Sequence, residues 1–170
     1  LLFVTLLVGS IIYGPISFVI LFALFSAFTT YELTGLLNKT GKVTVNRFIT
    51  SIGSLYLFIA FAGYQTGIIG SGVIYTPYIA ILLYLTISEL YLKRENPIGN
   101  IGATMLTQLY VGLNFALINT LAFIPTSTDS ITIYQSIIPL SLFVFIWISD
   151  SGAYLVGSTI GKHKLFPRIS

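Results

Sequence analysis

Apolar runs separated by short polar breaks organise this chain from one end to the other. They fall at Leu1–Ile12, Pro15–Thr30, Phe48–Tyr64, Val73–Leu92, Ile98–Ile124 and Tyr134–Val156. The runs are continuous rather than alternating, which predicts helices and not the strands of a membrane barrel. Crossing ~30 Å of hydrocarbon takes about 20 helical residues. Most of the runs reach or approach that length, and Pro15–Thr30 does so once Tyr31–Leu37 extends it. Leu1–Ile12 is too short alone and reads as a first helix cut at its N-terminus. Turn formers mark the breaks: Tyr13-Gly14-Pro15, Gly70-Ser71-Gly72, Asn96-Pro97, and Pro125 with Ser127 and Asp129. The expectation is an all-α polytopic membrane protein, a single unit over residues 1–170 with about six transmembrane helices. Their expected bounds are 1–12, 15–37, 48–64, 73–92, 98–124 and 134–156, with a basic loop over 157–170.

Charge adds an orientation. Lys39, Lys42 and Arg47 lie between the second and third runs, Lys93 and Arg94 between the fourth and fifth, and Lys162, Lys164 and Arg168 after the last. The connections at 13–15, 65–72 and 125–133 hold no Lys or Arg. Every second loop is therefore basic, which predicts a cytoplasmic N-terminus.

Composition agrees and narrows the chemistry. Charged residues make up 8% of the chain, against about a quarter in a soluble domain. The net charge of +3 sits in separate clusters and draws no nucleic-acid-binding face. With no cysteine, the chain cannot offer disulfides, thiolate-bound zinc or a thiol nucleophile. The single histidine, His163, leaves no histidine-rich metal cluster and no Ser-His-Asp triad. The chain opens on Leu1 without a methionine and stops at Ser170 straight after a basic loop, so it is expected to be a fragment. Its apolar start lacks the basic lead-in and cleavage site of a signal peptide.

The candidate chemistry lies in polar residues within apolar helices. Glu32, Glu89 and Asp150 each fall near the basic end of a predicted span, and ionisable groups at such depth usually face a cavity or a partner. Glu89 is also read as a helix ion pair with Lys93, four residues on. Glu32 is also read as snorkelling to the headgroups or pairing with Lys39. Asp150 has no basic residue within four positions on either side and stands about six residues, or roughly 9 Å, inside the predicted end of its helix. Gln108, Asn114, Asn119 and Gln135 are read as interhelical hydrogen-bonding residues. Gly63 and Gly67 are read as a close-packing pair. Gly157-Ser158-Thr159-Ile160-Gly161-Lys162 is not a phosphate loop: three residues, not four, separate the glycines, His163 follows the lysine, and no strand precedes it. Lys162, Lys164 and Arg168 suit either a phosphate or a plain membrane anchor.

The segment Asp150-Ser151-Gly152-Ala153-Tyr154, followed by Gly157, Gly161-Lys162 and Leu165-Phe166-Pro167, resembles the bacterial phosphatidate cytidylyltransferase (CDP-diacylglycerol synthase) family. In that family an Asp-Thr/Ser-Gly/Ala-Ala-Tyr motif ends a membrane helix, and a Ser-Pro-Lys-Lys-Thr-Trp-Glu-Gly segment begins where Ser170 stands. Weaker echoes are Tyr31-Glu32 and Leu109-Tyr110-Val111-Gly112. Ser151 stands where threonine is commoner, and His163 after the Gly-Lys is a further departure. The resemblance implies nucleotidyl transfer from CTP to phosphatidic acid with Mg2+, at the cytoplasmic face of a bacterial inner membrane. It implies Asp150 as the catalytic and metal-contacting residue, and Lys162, Arg168, Ser170, Tyr154 and Gly152 as substrate or nucleotide contacts. The main metal ligands of the family lie outside this chain, so the chain alone is expected to be inactive. Membrane lipids and a homodimer partner are further expectations. Two other readings stand beside it: a proton- or cation-coupled transporter using Glu32, Glu89 and Asp150, and a CTP-dependent polyprenol or phytol kinase.

Overall fold

The computed structural model of the protein describes residues 2–125 and 132–161. Its elements are α1 (Leu2–Tyr13), α2 (Pro15–Lys39), α3 (Arg47–Gln65), a 3-10 turn (Gly72–Tyr75) running into α4 (Thr76–Tyr91), α5 (Pro97–Thr107), a π-helical turn (Gln108–Leu113), α6 (Asn114–Ala122), β1 (Phe123–Pro125), β2 (Thr132–Tyr134) and α7 (Ile137–Thr159). Among the described residues, 5 stretches are long and apolar enough to cross a membrane: Pro15–Lys39, Arg47–Gln65, Gly72–Tyr91, Pro97–Ala122 and Ile137–Thr159. The apolar α1 has only 12 residues and does not reach that length. Local chemistry sets the helix starts. Prolines open α2 and α5, where the missing N–H costs nothing. The side chains of Asn46 and Asn96 accept from the Ile49 and Gly99 N–H groups at 3.1 and 3.0 Å, capping α3 and α5.

The interior changes character along the bundle. At one end Leu7, Ile11, Phe18, Phe22, Phe58, Ala62 and Phe123 form an apolar core, with the Phe18 and Phe22 rings 4.7 Å apart. Toward the basic loops the buried positions turn polar: Ser26, Thr30 and Thr34 on α2, Thr50 and Ser54 on α3, Thr104 and Thr107 on α5, and Gln108 at the start of the π-helical turn. The spacing of 26, 30 and 34 keeps these hydroxyls on one face of α2. Small side chains let α2 and α3 pack closely, and their contact is the most extensive in the bundle.

Four features depart from the sequence reading. A π-helical turn interrupts the span expected to run unbroken over 98–124. A Cβ on its Gly112 would lie 3.0 Å from both Gln108 Oε1 and Ser54 Oγ, so only glycine lets this widened turn approach α3 without displacing them. The second departure is a two-stranded hairpin between α6 and α7, with Phe123 opposite Tyr134. Pro125 cannot continue a helix, and the flanking aromatic and β-branched residues pair as strands. The Tyr134 hydroxyl donates to the Ile11 carbonyl at 2.7 Å, and its ring lies 5.7 Å from that of Phe18. Third, α7 occupies 137–159 rather than 134–156. Fourth, Gly63 and Gly67 do not act as one packing pair. Gly63 admits the Ile74 side chain, whereas Gly67 turns the chain after α3 with φ 73°.

Candidate functional site

Asp150 stands nine residues before the end of α7 at Thr159, or about 13 Å along the axis. That is deeper than the roughly 9 Å expected, because the helix runs three residues further. Leu140, Phe143 and Trp147 are the α7 side chains that pack against the apolar core. Their spacing defines one stripe, and at 3.6 residues per turn Asp150 and Tyr154 continue it. The first half of the stripe is covered, with Phe143 5.6 Å from Phe22. In the second half Asp150 and Tyr154 are exposed, Tyr154 to 74%. Asp150 makes no ion pair or hydrogen bond among the described residues. Gly152 is half-buried, and a Cβ there or on Gly157 would meet nothing within 4 Å. The geometry is thus a carboxylate and a phenol one helical turn apart on an uncovered face. The expected contacts Lys162, Arg168 and Ser170, and Lys164 with them, lie outside the described residues.

The other carboxylates are arranged differently. Glu89 is buried, and its partner is Arg94 at 3.0 Å, not Lys93 as the i to i+4 spacing suggested. Lys93 has left the helix with φ 47°, which carries its side chain away and lets the next residue return. Glu89 also accepts from Asn100 Nδ2. Asn100 Oδ1 accepts from the Thr44 N–H at 2.6 Å, and Arg94 Nη1 donates to the Thr44 carbonyl at 2.9 Å. A closed ring of hydrogen bonds therefore ties the α2–α3 connection to the α4–α5 connection. Glu32 is exposed and forms no ion pair with Lys39; Glu89–Arg94 is the only one among the described residues. No group of three His, Cys, Asp or Glu residues that could hold a metal occurs among them. The three carboxylates do not converge, and the described residues fit a metal ion only as far as the single carboxylate of Asp150.

The polar spots of the Pro97–Ala122 stretch separate into two kinds. Gln108 is buried, donates to the Thr50 carbonyl at 2.6 Å, and accepts from Ser54 Oγ and Tyr78 OH, both at 3.3 Å. Asn119 donates to the Phe58 carbonyl at 3.3 Å, while its Oδ1 is buried with no hydrogen-bond partner. Asn114, by contrast, bonds only within its own helix, to the Tyr110 carbonyl. Sequence reasoning missed Asn100, Thr44 and Arg47. The Arg47 guanidinium sits 3.7 Å from the Tyr31 ring centroid and donates to the Tyr31 carbonyl. The pairs 31/47 and 44/100 join residues far apart in the chain, and no local spacing announces them.

Both weaker sequence echoes fall on structured points: Tyr31 under Arg47, and 109–112 inside the π-helical turn. Comparison with known proteins extends this. The chain is 32% identical over 91 residues to the phosphatidate cytidylyltransferase of Bacillus subtilis (strain 168), covering 54% of this chain and 31% of that one. It is 35% identical over 66 residues to the Staphylococcus haemolyticus enzyme of the same name, covering 39% and 22%. Against the Staphylococcus aureus (strain COL) enzyme, identity is 55% over 31 residues, 18% and 12% of the two chains. The matches thus span less than a third of the length of these relatives. No solved structure matches the chain. The Cytidylyltransferase family matches residues 1–170 from end to end. With that match covering the α7 motif and every helix described above, the chain belongs to the cytidylyltransferase family.

Proposed function

We propose that this chain is part of an integral-membrane phosphatidate cytidylyltransferase, which makes CDP-diacylglycerol and pyrophosphate from CTP and phosphatidic acid. The observation that carries the reading is the family match over the whole chain, which includes the Asp150–Tyr154 helix. A phosphate oxygen of phosphatidic acid forms a bond to the α-phosphorus of CTP, the bond from that phosphorus to the β-phosphate oxygen breaks, and pyrophosphate leaves. Such transfers depend on positioning and charge neutralisation, so the protein has to bring a lipid and a soluble nucleotide together at one membrane face. The alternation of basic and uncharged connections supports a cytoplasmic position for that face, at a bacterial inner membrane. Between α2 and α3, Leu24, Phe28, Tyr31, Phe48, Ile52 and Leu55 line an apolar groove of about 330 Å³. An acyl chain lying there would have Arg47 near its headgroup.

Within this reading Asp150 is the catalytic carboxylate and one ligand of Mg2+, which when bound neutralises triphosphate charge. Tyr154 shares the Asp150 face, Gly152 lies on the opposite side of the same turn as a further substrate contact, and Lys162, Arg168 and Ser170 contact phosphate. A homodimer is part of the same expectation. Family membership does not favour the transporter reading, and the carboxylates that reading requires do not meet. The test is CDP-diacylglycerol formation by the full-length protein in vesicles supplied with CTP and phosphatidic acid. Asp150→Asn is expected to lower turnover at least about tenfold with membrane insertion unchanged. Turnover near that of the wild type would refute the role of Asp150.

A further inference from the structure

Away from α7, the two basic connections enclose a polar cavity of about 280 Å³. At ~30 Å³ per water, this holds on the order of nine waters. Lys42, Lys93 and Arg94 line it, with Glu95, Asn96 and Asn100. Cations exceed carboxylates on its wall. The ammonium groups of Lys42 and Lys93 have no ion-pair or hydrogen-bond partner among the described residues. Arg94 spends Nη1 on Glu89 and on the Thr44 carbonyl, and its remaining guanidinium donors carry no bond there. Below them the cavity is built rather than accidental. Asn100 is 3% exposed and held on both sides, by Glu89 and by the Thr44 N–H. Asn96 Nδ2 donates to the Lys42 carbonyl at 3.1 Å, fastening one loop to the other across the opening.

Lys93 adds an independent sign. It is the only non-glycine residue among those described with positive φ, at 47°. Asparagine or glycine would take that conformation at lower cost, and side chains kept in sparsely populated backbone regions tend to mark functional sites. Here the residue kept is a cation on a cavity wall.

We propose that this interloop cavity binds a phosphate group, carried either by an anionic phospholipid headgroup or by a soluble phosphate. Its position fits both sources, because it lies where α2 and α4 end and α3 and α5 begin, at the basic end of the bundle. Glu95 opposes an anion there, and because Lys42 and Lys93 are exposed their attraction for phosphate weakens with salt. The site does not rest on the proposed reaction, since none of its residues belongs to α7.

The test uses the full-length protein with two probes. Inorganic phosphate is titrated calorimetrically in detergent at low salt, and retention of phosphatidylglycerol over phosphatidylcholine is read by native mass spectrometry. Lys42 and Lys93 are both exposed, so the Lys42→Gln/Lys93→Gln variant keeps the fold. At least one probe is expected to bind the wild type and to bind this double variant about tenfold or more weakly, from two cations near the surface. Lys39→Gln, which removes an exposed cation outside the cavity wall, is expected to bind like the wild type. Phosphate binding alone identifies a soluble ligand, and phosphatidylglycerol retention alone identifies a lipid headgroup. The proposal is overturned if neither probe binds, if the double variant binds both as the wild type does, or if Lys39→Gln weakens binding as much as the double variant.

Discussion

Replacing Glu89 by leucine tests how the two basic connections are held. Glu89 has 7% of its side chain exposed and Arg94 has 30%. Breaking a fully buried ion pair costs about 3–5 kcal/mol, because a charge is left without water or partner. Arg94 is not in that position. It can turn its open side to solvent and keep the Thr44 carbonyl, so its share is about 0–1 kcal/mol. Asn100 cannot turn out, and its Nδ2 would lose its acceptor inside the protein, at about 1–3 kcal/mol. The sum is about 1–4 kcal/mol with a midpoint of roughly 2.5 kcal/mol, dominated by the neutral amide rather than by the charge pair. Glu89→Gln separates the two contributions, since its carbonyl still accepts from Asn100; the expected cost is about 1 kcal/mol. At roughly 2–4 °C per kcal/mol for a chain of this size, Glu89→Leu should melt about 5–10 °C lower and Glu89→Gln a few degrees lower. Thermal melts in detergent, read by the fraction remaining monodisperse, measure both. If the glutamine variant is as destabilised as the leucine variant, charge dominates and the assignment to Asn100 is wrong. If the leucine variant melts like the wild type, the ring contributes nothing to stability.

Other perturbations reach different depths of the bundle. Gln108→Leu removes the donor to the Thr50 carbonyl and the acceptor for Ser54 and Tyr78; a loss of about 2 kcal/mol is expected, read as a lower melting temperature, and an unchanged melt would contradict the buried network. Tyr134 has its pKa raised to about 12 by burial, above the ordinary phenol value of 10.0. The unfolded phenol therefore ionises first, so this residue's stabilisation is complete below pH 10 and is lost as pH rises toward 12. Tyr134→Phe should melt lower than the wild type at pH 8, for want of the bond to Ile11, and fall less steeply between pH 10 and 12; parallel curves would exclude this coupling.

Periodicity was enough to find the helices because a bilayer-crossing segment needs length and apolarity and little else. What it could not see were the places where backbone groups find partners other than their own helix. The hairpin around Phe123 and Tyr134 is one: three-residue strands carry no period, and Tyr134 reads equally well as the first residue of a span. The π-helical turn is another. Leu109-Tyr110-Val111-Gly112 has ordinary helical character, and the close approach of Gly112 to Ser54 and Gln108 that accompanies the wider turn is visible only in three dimensions. The polar residues of the interior were visible as exceptions in apolar runs, and Gln108 and Asn119 do bond across helices as their positions suggested.

The candidate site shows the same division more sharply. Asp150 stood out because an aspartate in an apolar helix has no local partner, and the structure keeps it so, on the face that packs one turn earlier through Trp147. Glu89 looked similar in sequence and proved opposite in kind. Its nearest cation by helical spacing, Lys93, leaves the helix geometry, and the partners that matter come from Arg94, Asn100 and Thr44. An ionisable residue in an apolar run thus predicts a partner without saying which. For Glu89 the partners are internal and tie two loops together, and on the cavity wall beside them Lys42 and Lys93 have no partner among the described residues. For Asp150 the described residues supply none, which leaves its carboxylate open to the cation that the proposed reaction would bring.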